Sequence, residues 1–133
     1  MPVSRATPVD GVPRVIDPGG AGSPARTVVV IDPAERVFAG HYPGFPIFPG
    51  VCLIEYVQLS ALETLPAEGG PWRLAAVEST RFVGPVFPGD TVTIELTWQR
   101  LPGGDAWRCK AEAATERGRA ARLRLRFEIR KAP

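Results

Sequence analysis

The sequence is poor in the residues that build metal centres and disulfide frameworks. It has one histidine, His41, and two cysteines, Cys52 and Cys109, with no Cys-x-x-Cys spacing. One histidine cannot assemble a His-based zinc cluster. Two distant thiols read as buried side chains, although Cys52 stands where an alkylating reagent drawn to a neighbouring site would find it. No apolar run reaches the ~20 residues of a membrane span, and the opening Met1-Pro2-Val3-Ser4-Arg5 lacks the apolar core of a secretory signal, which makes a cytoplasmic protein the expectation. A formal net charge of only +2 argues for neither a nucleic-acid nor a membrane partner. What is present is 133 residues, 44% apolar and 23% charged, the ordinary range for one domain able to bury a core.

The distribution is uneven. Residues 1–25 hold Pro2, Pro8, Pro13, Pro18 and Pro24 with Gly11, Gly19, Gly20 and Gly22, and read as a flexible N-terminal segment with one short strand near 13–17. Residues 26–133 are expected to form a single domain. Strand signals run over 27–31, ended by Asp32-Pro33, with Val37-Phe38 as a second, short strand. A long strand over 72–83 has apolar residues on both parities, so both faces or one edge should be covered. After Gly84-Pro85 and Pro88-Gly89-Asp90, three segments alternate with period two: Val92, Ile94, Leu96 and Trp98; then Trp107, Cys109, Ala111 and Ala113; then Ala121, Leu123, Leu125, Phe127 and Ile129. These form an antiparallel meander apolar on one face. The opposite face of the last strand carries Arg122, Arg124, Arg126 and Arg130. The first reading of that stripe is a solvated face that discourages edge pairing; the sharper one, shared with Arg73 and Arg81, is a receiver of an acidic, phosphate-bearing partner.

Between the early strands and the long one lies the stretch on which the chain is organised, Gly40-His41-Tyr42-Pro43-Gly44-Phe45-Pro46-Ile47-Phe48-Pro49-Gly50. Pro43, Pro46 and Pro49 share the three-residue period of polyproline II, which makes this a stiff loop. Residues 51–65 follow, apolar on nearly all sides and ended by Leu65-Pro66, and predict a helix buried on most faces. Pro49-Gly50 suits its first turn, where unpaired N–H groups and the positive end of the dipole can hold an oxygen that gains negative charge. A helix apolar on most sides needs cover all round, and strands apolar on one face need something to sit on. A curved antiparallel sheet wrapped around one central helix, an α+β architecture, satisfies both. Ala75, Ala76, Ala111 and Ala113 would let the helix approach closely.

Glu55 lies about 7.5 Å along the helix from Gly50. Removing a carboxylate from water costs several kcal/mol unless it is paired or keeps its proton. It therefore reads either as a general acid or base held by burial, or as part of a narrow solvent stripe with Gln58 and Ser60. His41 likewise reads as a positioned base or as an ordinary loop imidazole. The eight residues Tyr42 to Pro49, if extended, span up to about 25 Å, so His41 and Glu55 of one chain are far apart. If both act, a two-fold dimer that brings His41 of one subunit to Glu55 of the other is the economical arrangement.

The run from Phe38 through Glu55 resembles the active-site segment of the β-hydroxyacyl-acyl-carrier-protein dehydratases, and Arg81-Phe82-Val83-Gly84-Pro85-Val86-Phe87-Pro88-Gly89-Asp90 resembles the later strand-and-turn block of that family. The resemblance implies the hotdog fold, with the 72–83 strand along a homodimer interface and active sites shared across it. It implies His41 and Glu55 as catalytic residues and Gly50 as the backbone N–H that meets the thioester carbonyl. Tyr42, Pro49, Val51, Gln58 and Phe82, within or beside the two blocks, are expected to contact substrate. Glu55, where the dehydratase/isomerase branch has Asp, resembles the dehydratase-only branch. Two features depart from the pattern: Leu59 stands where the family has Gln, which here is Gln58, and the usual N-terminal apolar segment is missing.

The reaction the resemblance implies is loss of water from a 3-hydroxyacyl thioester to give the trans-2-enoyl product, without a metal or an organic cofactor, the thioester being carried by an acyl carrier protein in fatty-acid or polyketide assembly. Two rivals are a hotdog thioesterase, against which the Gly-His-Tyr-Pro loop argues, and a non-catalytic acyl-thioester binding or partner subunit.

Overall fold

A computed structural model of the chain describes residues 9–20, 22–40, 47–66 and 71–129. His41, Tyr42, Pro43, Pro46 and Arg130, singled out above, lie outside these residues. The described residues form β1 (Arg14–Asp17), β2 (Ala25–Val30), α1 (Arg36–Gly40), α2 (Gly50–Thr64), β3 (Trp72–Phe82), β4 (Thr91–Arg100), β5 (Ala106–Thr115) and β6 (Gly118–Ile129). The strands make one antiparallel sheet in the order β1-β2-β4-β5-β6-β3. Helix α2 packs against its inner face, touching β1, β3, β4 and β5.

The period-two pattern explains the sheet. Val92, Ile94 and Leu96 of β4, Cys109, Ala111 and Ala113 of β5, and Leu123, Leu125 and Phe127 of β6 are all buried. The register places Ile94 opposite Ala113 and Leu96 opposite Ala111, so each bulky β4 side chain faces a small one and leaves room for the helix. Cys52, Leu53, Tyr56, Val57 and Ala61 fill that room from α2. Ala75 and Ala76, on the edge strand β3, are only half-buried. This is the hotdog arrangement. The sheet and core also draw on the segment before residue 26: β1 pairs with β2, and Val9 is buried in the core.

The segment around Val37 and Phe38 is helical, not a strand. Asp32 begins a turn, its Oδ1 accepting from the Ala34 N–H at 2.8 Å and its carbonyl from the Glu35 N–H at 3.0 Å. Asp10 then caps α1, its carboxylate accepting from the Arg36 N–H at 2.7 Å and from Arg36 Nε at 2.6 Å. Two adjacent apolar residues carry no period, and a carboxylate from 26 positions away decides the outcome.

Beyond β3 the chain turns back under α2. Asp90 Oδ2 accepts from the Phe87 N–H at 2.7 Å and pairs with Arg117, whose guanidinium lies over the Phe87 ring. Gly89, at φ +86°, takes the left-handed conformation this turn requires and donates to the Ile31 carbonyl. The Phe48 N–H donates to the Val86 carbonyl at 2.7 Å, so the two sequence blocks meet just ahead of the central helix.

Candidate active site

Helix α2 starts without a side-chain cap. Pro49 has the extended φ −62° and ψ 144° expected from the proline spacing, and its carbonyl accepts from the N–H groups of Cys52 and Leu53 at 3.0 and 3.2 Å. Gly50 and Val51 precede those two, and their N–H groups are the ones a helix start leaves without intrahelical acceptors. They carry the positive end of the dipole.

Gly50 is not replaceable there without movement. A Cβ built on it would stand 2.6 Å from Cζ of Phe82, whose ring lies across the glycine from the end of β3. Beside it is a cavity of about 250 Å³, lined by Ile47, Phe48, Leu53, Phe82 and Val86 among others, an apolar slot opening onto the helix start. Phe82 is 50% exposed and Val51 65%, with Ile47 and Val83 also exposed, so the mouth of the slot and the neighbouring edge of β3 form an apolar surface.

Glu55, 8% exposed, is buried one and a half turns into α2. The solvent-stripe reading does not hold. Ser60, expected beside it in that stripe, is fully buried, its hydroxyl 2.7 Å from that of Thr27. Gln58 is half-buried and, three residues on, shares the Glu55 face of the helix; Leu59 is half-buried too. Burial, then the charges of Glu35 and Glu55, hold the Cys52 thiol above the usual range. Both disfavour the thiolate an alkylating reagent needs, and Cys52 is 1% exposed.

Pro49, Gly50, Val51 and Phe82 thus gather at the helix start, with Glu55 behind them. Residue 40, the end of α1, leads directly into His41 and Tyr42, which lie outside the described residues. The sequence reading missed Glu35 and Tyr56. Tyr56 Oη donates to Glu35 Oε1 at 3.0 Å, and both are buried. A tyrosine inside an all-round apolar helix was the available signal, since a buried phenol needs a partner; nothing in the sequence marked Glu35 as that partner.

On the sheet's outer face Arg122 pairs with Glu112 at 3.3 Å and Arg126 with Glu128 at 3.0 Å, while Arg73 reaches Glu128 at 3.6 Å. Arg124 and Arg81 are exposed, as a solvated face requires. Among the described residues no group of three or more His, Cys, Asp or Glu is placed to hold a metal ion, and no helix is long and apolar enough to cross a membrane.

The family model described as ApeI dehydratase, of the ApeI-like family, matches residues 21–119. The chain belongs to this family. Among relatives by sequence, the 3-hydroxyacyl-[acyl-carrier-protein] dehydratase FabZ of Albidiferax ferrireducens is 30% identical over 83% of this chain and 77% of its own length. That of Thermus thermophilus is 40% identical over 59% of this chain and 61% of its own. The solved structure described as the dehydratase heterocomplex ApeI:P from Xenorhabdus doucetiae superposes with a TM-score of 0.62 at 24% identity, covering 79% of this chain and 87% of that one. At that identity the likeness attests the fold, and the family assignment rests on the family-model match over residues 21–119.

Proposed function

We propose that this ApeI-like protein dehydrates a 3-hydroxyacyl thioester, carried by an acyl carrier protein, to the trans-2-enoyl thioester. The observation that carries this reading is the buried Glu55 carboxylate behind an uncapped helix start that opens on an apolar slot. The names of the similar dehydratases supply the substrate class.

In this mechanism the acyl chain enters beside Phe82 and the thioester carbonyl accepts from the Gly50 N–H. That N–H and the helix dipole stabilise the enolate-like oxygen as the α C–H bond breaks, and His41 takes the proton. The C3–O bond then breaks, and the departing hydroxide leaves as water with a proton from Glu55. His41 returns its proton to the carboxylate through the site. A variant of the same scheme has His41 shuttle both protons while Glu55 orients the hydroxyl. Tyr42, Pro49, Val51 and Gln58 hold the substrate around these groups.

His41 and Glu55 belong in this scheme to different subunits of a homodimer. Among the described residues β3 is an edge strand, paired with β6, and its apolar Val77 and Phe82 are exposed. A second copy laid along it would cover them and close the slot. The setting is cytoplasmic fatty-acid or polyketide assembly, and exposed Arg81 and Arg124 suit the phosphate of a phosphopantetheine arm.

The test is product analysis of 3-hydroxyacyl thioesters by mass spectrometry. Loss of one water with the thioester intact supports dehydration. Release of thiol instead identifies a thioesterase, and acyl binding with neither product identifies a binding subunit.

A further inference from the structure

Tyr56 meets both ends of the stretch that carries His41. Its fully buried ring stacks on Phe48, centroids 5.6 Å apart and planes 18° from parallel, and Phe48 in turn contacts Phe38 of α1 at 5.9 Å. Phe38 and Phe48 bracket that stretch. Its hydroxyl donates to Glu35 Oε1 at the head of α1 and accepts from the Gly11 N–H, each at 3.0 Å. Glu35 Oε1 also accepts from the Asp10 N–H at 3.1 Å, and Asp10 caps Arg36. One side chain, adjacent in sequence to Glu55, therefore joins α2, the start of α1, the residue after the loop and the N-terminal segment.

The arrangement is costly as packing. Glu35 is 3% exposed, and its second oxygen, Oε2, is buried with no partner among the described residues. An apolar side chain of similar size would fill this space without leaving a carboxylate oxygen unmet. What the polar pair adds is a fixed direction.

We propose that Tyr56, oriented by Glu35, is a positioning residue that sets where both ends of the His41 stretch stand against the Glu55 helix. The proposal rests on the dehydratase reading for its effect on rate, but not for its structural content. A displacement of about 1 Å at reacting groups costs up to ~100-fold in rate, so the effect belongs in kcat.

Tyr56→Phe keeps the ring stack and deletes only the hydroxyl. It should lower kcat by about ten- to a hundredfold with KM changed less than about twofold, while the protein remains folded. Glu35→Gln retains an oxygen that accepts from Tyr56 and should keep kcat within about threefold of wild type, whereas Glu35→Leu should match Tyr56→Phe. Amide hydrogen exchange supplies a readout independent of activity. In Tyr56→Phe it should accelerate at Asp10, Gly11, Arg36, Phe38 and Phe48 and stay unchanged in β4, β5 and β6. A raised KM at unchanged kcat, equal activity of the Gln and Leu variants, or acceleration spread evenly through the sheet overturns the proposal. If wild type dehydrates nothing, the functional reading falls, and the exchange pattern alone decides this one: local acceleration upholds it and uniform or absent acceleration overturns it.

Discussion

Gly50→Ala puts the geometry of the site under direct strain. The new Cβ would stand 2.6, 2.9 and 3.0 Å from three atoms of the Phe82 ring, and ordinary contact begins near 3.4 Å, so the ring must retreat by about 0.8 Å (3.4 − 2.6). The ring is half-exposed and free to swing, while the helix start is held by Pro49 and by the Phe48–Val86 hydrogen bond. Stability should therefore fall by no more than about 1–2 kcal/mol, the low end of overpacking costs, and alanine's helix preference returns up to about 1 kcal/mol of it. The loss appears in catalysis. Gly50 and Phe82 both line the slot, so the added methyl and the displaced ring alter the space the acyl chain needs, and kcat/KM should drop by at least about tenfold, some 1.4 kcal/mol of transition-state binding. Phe82→Ala removes the obstacle, so Gly50→Ala made in that background should cost little stability, with a coupling of at least about 0.5 kcal/mol between the two changes. Thermal melts and initial rates of the two single variants and the double variant complete the cycle. Additive melting shifts would mean that Phe82 does not lie on Gly50, and unimpaired turnover by Gly50→Ala would mean that the slot is not the acyl site.

Other consequences are simpler to state. Burial works against the Asp90 carboxylate, but the Arg117 guanidinium and the Phe87 N–H together hold its pKa below the ordinary 3.8. Its stabilising contribution is thus present above pH 3.8 and is lost as pH falls towards the lower folded value, so the unfolding free-energy gap between wild type and Asp90→Ala, read from denaturant melts, should be full at pH 6, about 1–3 kcal/mol, and narrow below pH 4. Burial pushes the Cys109 thiol up to about 12, and Cys52 is raised as well, so iodoacetamide at pH 8 should label neither in the native protein and both in guanidinium; stoichiometric native labelling would contradict the burial of the helix start. Ser60→Ala strands the buried Thr27 hydroxyl and should cost about 1–3 kcal/mol, whereas Ser60→Ala with Thr27→Val should recover most of it in denaturant melts.

The parts of the fold legible in the sequence are those with a long period. The alternation of β4, β5 and β6 and the fifteen-residue α2 follow from it with boundaries off by one to three residues, because burial on one sheet face and around one helix acts on every residue of those elements. Arg36–Gly40 was not legible, because Val37-Phe38 is too short to show a period and the Asp10 cap is a tertiary contact. The burial of Glu55 stayed open for a related reason: a helix apolar all round does not say which narrow arc faces water, and only the packed structure, in which Glu55 is 8% exposed, settles it. The start of α2 at Gly50 was legible from its place after a proline. The Phe82 ring that holds it belongs to a strand thirty residues on, visible only once the second block folds back beneath the helix.

The shared site is tested most directly by mixing subunits. His41→Ala and Glu55→Gln, each assayed alone on a 3-hydroxyacyl thioester, should be inactive. In a mixed dimer of the two, one site carries both substitutions and the other carries none. Random exchange of equal amounts makes half the dimers mixed with one intact site of two, so dehydration should return to about a quarter of the wild-type rate. A mixture no more active than its two components, with exchange demonstrated, would contradict an active site built from His41 of one subunit and Glu55 of the other.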